Sequence, residues 1–226
     1  MISVADLLNS KKPLKGNYFA PEAYVQGDFE LGLLETRLGA RLIALPEVFL
    51  QGMYEGLKHE LGQAYPLVLY NCGRWWGKSF FRRFQQEVSQ YYGIPLAQME
   101  MVEFLSCFKQ CWKTHGWGTI EFNFDYYPHG LIVIYTTNSP FAAAAPKGEG
   151  FACQLEAGIL ASFFSQLTGE NLGCIQTSCE SMGAPVNSFI LGLLERVKIA
   201  KTWLEEGHDH TSILEMLCNT QVNNES

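Results

Sequence analysis

Charge is scarce in this chain, and basic charge scarcer still: Asp, Glu, Lys and Arg make up 17% of 226 residues, with 23 acidic against 16 basic side chains and a formal net charge of -7. A general nucleic-acid binder needs a basic surface to neutralise phosphates, and the single basic cluster here, Arg74, Lys78, Arg82 and Arg83, is local, so that class is excluded. Long apolar runs are missing too. No stretch is long enough to cross a bilayer as a helix. The first residues place Asp6 early and lysines after the apolar positions, the reverse of a secretory leader, so a soluble, cytoplasmic chain is expected. The seven cysteines are an odd set without the spacing of a disulfide scaffold, which points to reduced thiols. Catalytic signatures are lacking as well: there is no GxGxxG after a strand, no phosphate-binding loop, no Ser/His/Asp order and no carboxylate cluster.

Apolar side chains (47%) and aromatic rings (13%) are plentiful instead. That supports one sizeable core, read as an N-terminal arm over 1–27, a single domain over 28–218 and a polar, disordered tail over 219–226. Abundant rings suit a protein that encloses a bulky apolar ligand or forms a large interface, and a core rich in Phe and Tyr accounts for them equally well.

Along the chain, residues 28–45 mix short alternation with glycines and read as a strand pair or a strand and turn. Pro46 marks a helix start, followed by Val48, Phe49, Gly52, Met53, Gly56 and Leu57 at helical spacing, with the two glycines expected to permit close helix packing. Residues 65–92 form the longest helical pattern, where Gly73 and Gly77 flank Trp75 and Trp76. A ligand or partner could approach that notch, and helix-on-helix packing is the plainer reading. A further helix is expected over 96–115. Its Cys107 and Cys111 share a face and read better as small buried hydrophobes than as a metal clip. His115, at its end, is either a ligand or a partner of the helix dipole. Residues 117–138 give the clearest hairpin, with Ile120, Phe122 and Phe124 alternating before a PHG turn and LIVIYTT.

The stretch 148–189 then combines Cys153, a Gly158-bearing helix ended by Gly169, a strand running to Cys179, the Met182–Pro185 turn and a returning strand through Phe189. Two helices follow, over 193–206 and 211–218. These residues resemble the C-terminal half of the 4-vinyl reductase domain family, whose pattern runs Cys, Gly-bearing apolar helix, Glu-x-x-Cys, Gly-Asp-Pro turn and Cys-x-Phe. About forty residues carry the likeness.

The resemblance implies an α+β fold, an antiparallel sheet backed by helices, like the ligand-binding fold of nitric-oxide-signalling domains and vesicle-tethering subunits. It implies a stand-alone member from a photosynthetic bacterium that binds a hydrophobic small molecule, most reasonably a tetrapyrrole such as a chlorophyll or its precursor. Such a protein would support pigment supply or photosystem assembly, as a homodimer with photosystem assembly proteins as partners, in the cytoplasm or peripheral to the thylakoid membrane. Trp75, Trp76, Phe104, Phe108, Trp112, His115 and Phe163 are the expected ligand-binding residues.

Where aromatic-sensing members of the family hold zinc with Cys, Glu, Cys and Cys, this chain has Cys153, Gln176, Cys179 and Asn187. Two thiolates remain, but neutral amides are poor zinc ligands, so a stable zinc site is not expected. Two other functions stay open: a 4-vinyl reductase drawing on an external reductant, since no cofactor motif is present, and an interaction scaffold with a vestigial pocket.

Overall fold

The longest helical pattern of the sequence is the longest element of the structure, a computed structural model that describes residues 16–220. In chain order the elements are α1 (Pro21–Tyr24), β1 (Val25–Asp28), β2 (Leu33–Thr36), β3 (Arg41–Leu42), α2 (Glu47–Leu61), α3 (Tyr65–Tyr92), α4 (Met101–Thr114), β4 (Thr119–Asn123), β5 (Leu131–Thr137), α5 (Pro140–Ala143), α6 (Gln154–Thr168), β6 (Leu172–Ser178), β7 (Asn187–Leu193), α7 (Leu194–Glu205) and α8 (His210–Asn219). The apolar positions at 4, 7 and 8 and the end of the polar tail lie outside the described residues.

The described residues divide into two compact units, one made of residues 16–46 and 82–119, the other of 47–81 and 120–220. In the first, β1, β2 and β3 form a small antiparallel sheet, which resolves the 28–45 pattern into strands. The end of the arm is bound to this unit by its own polar groups. Asn17 Nδ2 donates to the Ser106 carbonyl at 3.1 Å, the Thr114 hydroxyl to the Phe19 carbonyl at 2.7 Å and the Tyr92 hydroxyl to the Gly16 carbonyl at 3.0 Å. Between these anchors Tyr18, Phe19 and Tyr24 are buried, with Phe19 stacked on Phe84 at 5.3 Å.

The second unit is built on a four-stranded sheet in the order β4-β5-β7-β6, with β7 antiparallel to both its neighbours. Alternation decides its faces. Leu131, Val133 and Ile190 pack with Ala200 of α7 and with Ile213, Leu214 and Leu217 of α8. The helix α6 is buried at every position from Leu155 to Phe164, as expected of a helix apolar on all sides. It ends at Gly169 in the left-handed conformation (φ 78°), which the sequence places there for that reason.

Glycines set how closely α3 and α6 approach. A Cβ on Gly73 would lie 2.1 Å from the Leu155 carbonyl oxygen, and one on Gly158 would lie 2.1 Å from that of Tyr70. The notch beside the tryptophans is thus filled by helix packing. The same expectation fails at Gly52 and Gly56 of α2, where a Cβ would meet nothing within 4 Å. Spacing alone is identical in the two helices; only the neighbour differs.

Candidate functional site

A cavity of about 510 Å³ opens in the second unit where the start of α3, the approach to α6, the strand β6 and the helix α7 come together. Its apolar wall includes Leu67, Tyr70, Phe151, Ile175, Val197 and Leu204. Each side chain arrives there for a local reason. Leu67 and Tyr70 lie in the first turn of α3 and the next. Phe151 precedes the α6 N-terminus, and Val197 and Leu204 lie two turns apart on α7. Tyr70 is fixed by a hydrogen bond with the Cys174 backbone, and burial pushes its phenol up from the usual value. The polar lining is Gln63, Gln154 and Gln176, with Lys198, Lys201 and Glu205 from α7. Lys198 pairs with Glu195 at 2.8 Å and Lys201 with Glu205 at 3.7 Å, all exposed, so both ammonium groups can exchange partners at little cost.

Gln176 joins this cavity to a buried polar cluster. Its Oε1 accepts the Cys153 N–H at 2.9 Å, and its Nε2 donates to the Ser178 carbonyl at 3.0 Å. Asn187 closes the other side, accepting the Glu180 N–H at 2.9 Å and donating to the Glu180 carboxylate at 2.7 Å. Cys153, Gln176, Cys179 and Asn187 do converge, all buried. The two amides spend their donors and acceptors on backbone and on Glu180 instead of facing an ion. Among the described residues no group of three or more His, Cys, Asp and Glu is arranged to hold a metal ion.

The two sulfurs differ sharply. Cys179 lies amid donors, the Cys153 thiol first, then the Ser181 hydroxyl at 2.9 Å and the Ala152 and Ser181 amides, which together bring its thiol down to about 5. Cys153 is held well above the usual thiol range by burial. It therefore donates to a neighbouring thiolate. Glu156, one turn further along α6, accepts from the Ser139 hydroxyl at 2.9 Å, and burial raises its carboxyl to about 8. The Glu156 Oε1 has no hydrogen-bond partner among the described residues.

The seven aromatic-set residues fall in several environments, and none of them lines the cavity. Trp75 and Trp76 are exposed on α3, at 74% and 38%, with the Lys78 ammonium 5.1 Å from the Trp75 ring. Phe163 is buried between Phe80 and Phe81 at ring distances of 5.1 and 5.3 Å. In the other unit Phe104, Phe108 and Trp112 form a continuous buried row along α4, with ring distances of 6.0 and 5.8 Å. His115 caps that helix. Its Nδ1 lies 2.8 Å from the Cys111 carbonyl, the helix-end contact expected of it, and its Nε2 lies 3.1 Å from Arg83 Nη2. Burial brings its imidazole down to about 4, so it is neutral at pH 7.

Sequence reasoning missed the cavity wall and Glu156. The wall is drawn from four separated segments, and no local pattern unites them. Glu156 did leave a trace: it is the one charged residue between Phe151 and Gly169, on a helix otherwise fit for complete burial.

The comparisons with known proteins fall on this same region. Residues 132–193 match the V4R domain family. The V4R match contains the cysteine cluster, α6, β6 and β7 entire, so the likeness read from residues 148–189 holds. Among solved structures, the phenol-responsive sensory domain of the transcription activator PoxR, with phenol, aligns with a TM-score of 0.61 at 12% identity, covering 88% of this chain and 93% of that one. It shares the α+β fold. A vinyl-4-reductase family protein from Methanocaldococcus jannaschii aligns at 0.42 with 17% identity, over 66% of this chain and 82% of its own. Subunit 3 of a trafficking protein particle complex from Naegleria fowleri, covalently bound to palmitic acid, aligns at 0.48 with 10% identity, over 66% and 96%. No curated protein sequence matches the chain.

Proposed function

We propose that this V4R-containing chain is a non-catalytic binding protein for an apolar ring ligand, and that the ligand occupies the cavity beside α7. The cavity itself carries the reading. Its volume of about 510 Å³ falls within the roughly 300–1,000 Å³ of small-molecule sites. Its lining, an apolar wall with the polar side chains of Gln63, Gln154, Gln176, Lys198, Lys201 and Glu205, is a composition such sites use. The PoxR sensory domain, which has the same fold, binds phenol in its own structure, and that adds support by analogy.

Within that class a tetrapyrrole carrying acid side chains suits the site best. Leu67, Tyr70, Phe151 and Leu204 offer faces for a flat macrocycle, while Lys198 and Lys201 offer ammonium groups for its carboxylates. A role in pigment supply or photosystem assembly would follow from that ligand. Titration with a dicarboxylate porphyrin, followed by its absorbance, tests the proposal. Saturable 1:1 binding at micromolar concentration is expected, weakened at least tenfold by Leu204→Trp and a few-fold by the Lys198→Ala, Lys201→Ala pair. Absence of a saturable spectral change, with the porphyrin and with a monocyclic arene alike, counts against the site.

The homodimer expected from the glycine-notched helices would have to use α2. Gly73 and Gly77 are occupied by α6, whereas Gly52 and Gly56 are open and Val48 and Phe49 beside them are exposed.

A further inference from the structure

We infer that the second unit carries another site, one that holds a phosphate group between α3 and the C-terminal half of α6. A polar depression of about 410 Å³ lies there, lined by Arg74 and Lys78 of α3, by Ser162, Ser165 and Gln166 of α6 and by the 169–171 segment beyond it. It shares no lining residue with the cavity beside α7, so the inference does not rest on the ligand proposed there.

Arg74 and Lys78 are four residues apart on one face of α3, and both are half-buried. Among the described residues neither forms a hydrogen bond or an ion pair; the Lys78 ammonium meets only the Trp75 ring. Glu170, the one carboxylate of the lining, is exposed and pairs with neither. The depression therefore holds a surplus of positive charge in a chain whose net charge is -7. Cations beside a helix C-terminus commonly serve its last carbonyls. Here those carbonyls have other donors: that of Phe164 accepts the Thr168 hydroxyl and that of Ser165 accepts the Gly169 N–H, both at 2.9 Å.

Ser162 points to a ligand independently. It is 2% exposed, and its hydroxyl has no hydrogen-bond partner among the described residues. A serine or threonine inside a helix ordinarily bonds the carbonyl four residues back. Ser165 and Thr168 of the same helix do so, at 2.7 and 2.9 Å. Ser162 is pressed against α3 instead, where a Cβ on Gly77 would lie 3.0 Å from its own. Gly77 adjoins Lys78 and follows Arg74 by one turn. A hydroxyl buried without a partner costs stability, and an anionic oxygen in the depression would satisfy it.

The donor set selects the ligand class. Arg74 offers a planar fork for two oxygens, Lys78 a point charge and Ser162 a hydroxyl for a third. A phosphate dianion has the charge and the oxygens to use all three. A carboxylate, with one charge and two oxygens, leaves a donor unused.

The test is isothermal titration of the full-length protein with inorganic phosphate alone, in mildly alkaline buffer where phosphate is a dianion. Saturable uptake of one phosphate per chain is expected. Arg74→Gln should weaken it by about tenfold or more and Lys78→Gln by about fivefold. Ser162→Ala should weaken it by about threefold without lowering the urea midpoint, because it removes a hydroxyl that has no partner. A serine that serves packing alone would give the opposite result, a lower midpoint with phosphate affinity intact. Sedimentation with phosphatidylcholine vesicles, with and without phosphatidic acid, separates the sources of the group. Pelleting that requires phosphatidic acid and is lost in Arg74→Gln assigns it to a lipid headgroup, whereas phosphate uptake without such pelleting assigns it to a soluble ligand. Failure of both phosphate uptake and phosphatidic-acid-dependent pelleting overturns the proposal, as does binding that Arg74→Gln and Lys78→Gln leave unchanged.

Discussion

Glu156 shows how much a single buried carboxyl can govern. Burial raises it from an ordinary value of 4.5 to about 8. Between those values the folded chain keeps a proton that the unfolded chain has lost. The group's contribution is therefore fully present below pH 4.5 and is lost as pH rises through about 8. Glu156→Gln removes that titration and keeps the shape. In urea denaturation, the stability of the variant relative to wild type should improve by a few kcal/mol between pH 5 and pH 9, at about 1.4 kcal/mol for each pH unit of the window. Comparing the two proteins keeps the Cys179 sulfur in both, whose own titration runs the other way: its thiol is brought down to about 5, so its contribution is present at alkaline pH and lost as pH falls through that value. A difference that does not change with pH would mean that Glu156 is not protonated in the fold.

At the scale of elements, nearly every helix and strand was legible. The 65–92 pattern became α3 over the same residues, the hairpin became β4 and β5, and Gly169 ended α6 as its position implied. Local periodicity and capping carry that information because they are properties of a few neighbouring residues. What each helix faces is not. Gly73 and Gly52 have the same i,i+4 companion and the same permissive backbone, yet one meets the α6 backbone and the other meets nothing. The same holds for rings: Phe104, Phe108 and Trp112 are buried side by side on α4, and composition does not separate a ring that lines a cavity from one that fills a core. The contrast is measurable. Gly158→Ala forces a methyl against the Tyr70 carbonyl and should cost about 3 kcal/mol or more. Gly52→Ala, on an open helix face, should be neutral or stabilise by up to about 1 kcal/mol. Equal effects at the two positions would contradict the packing described for α3 and α6.

For the whole molecule, the buried polar cluster and the cavity beside it were half legible. Cys153, Gln176, Cys179 and Asn187 could be named from the sequence and do converge, whereas the cavity depends on α3 and α7, which only the fold brings beside β6. If a homodimer forms, light scattering after size exclusion should give twice the mass of the chain, and Gly52→Arg should return it to one; a dimer indifferent to that change must use another face. The central claim is that the cavity is where a ring ligand is held. Photo-crosslinking answers it most directly, using a porphyrin that bears a diazirine, with unlabelled porphyrin as competitor and adducts mapped by peptide mass. The account predicts competed labels within residues 63–70, 151–154, 174–176 and 194–205. Labels confined to Trp75 and Trp76 or to the α4 aromatic row, or labels that the competitor does not remove, would contradict it.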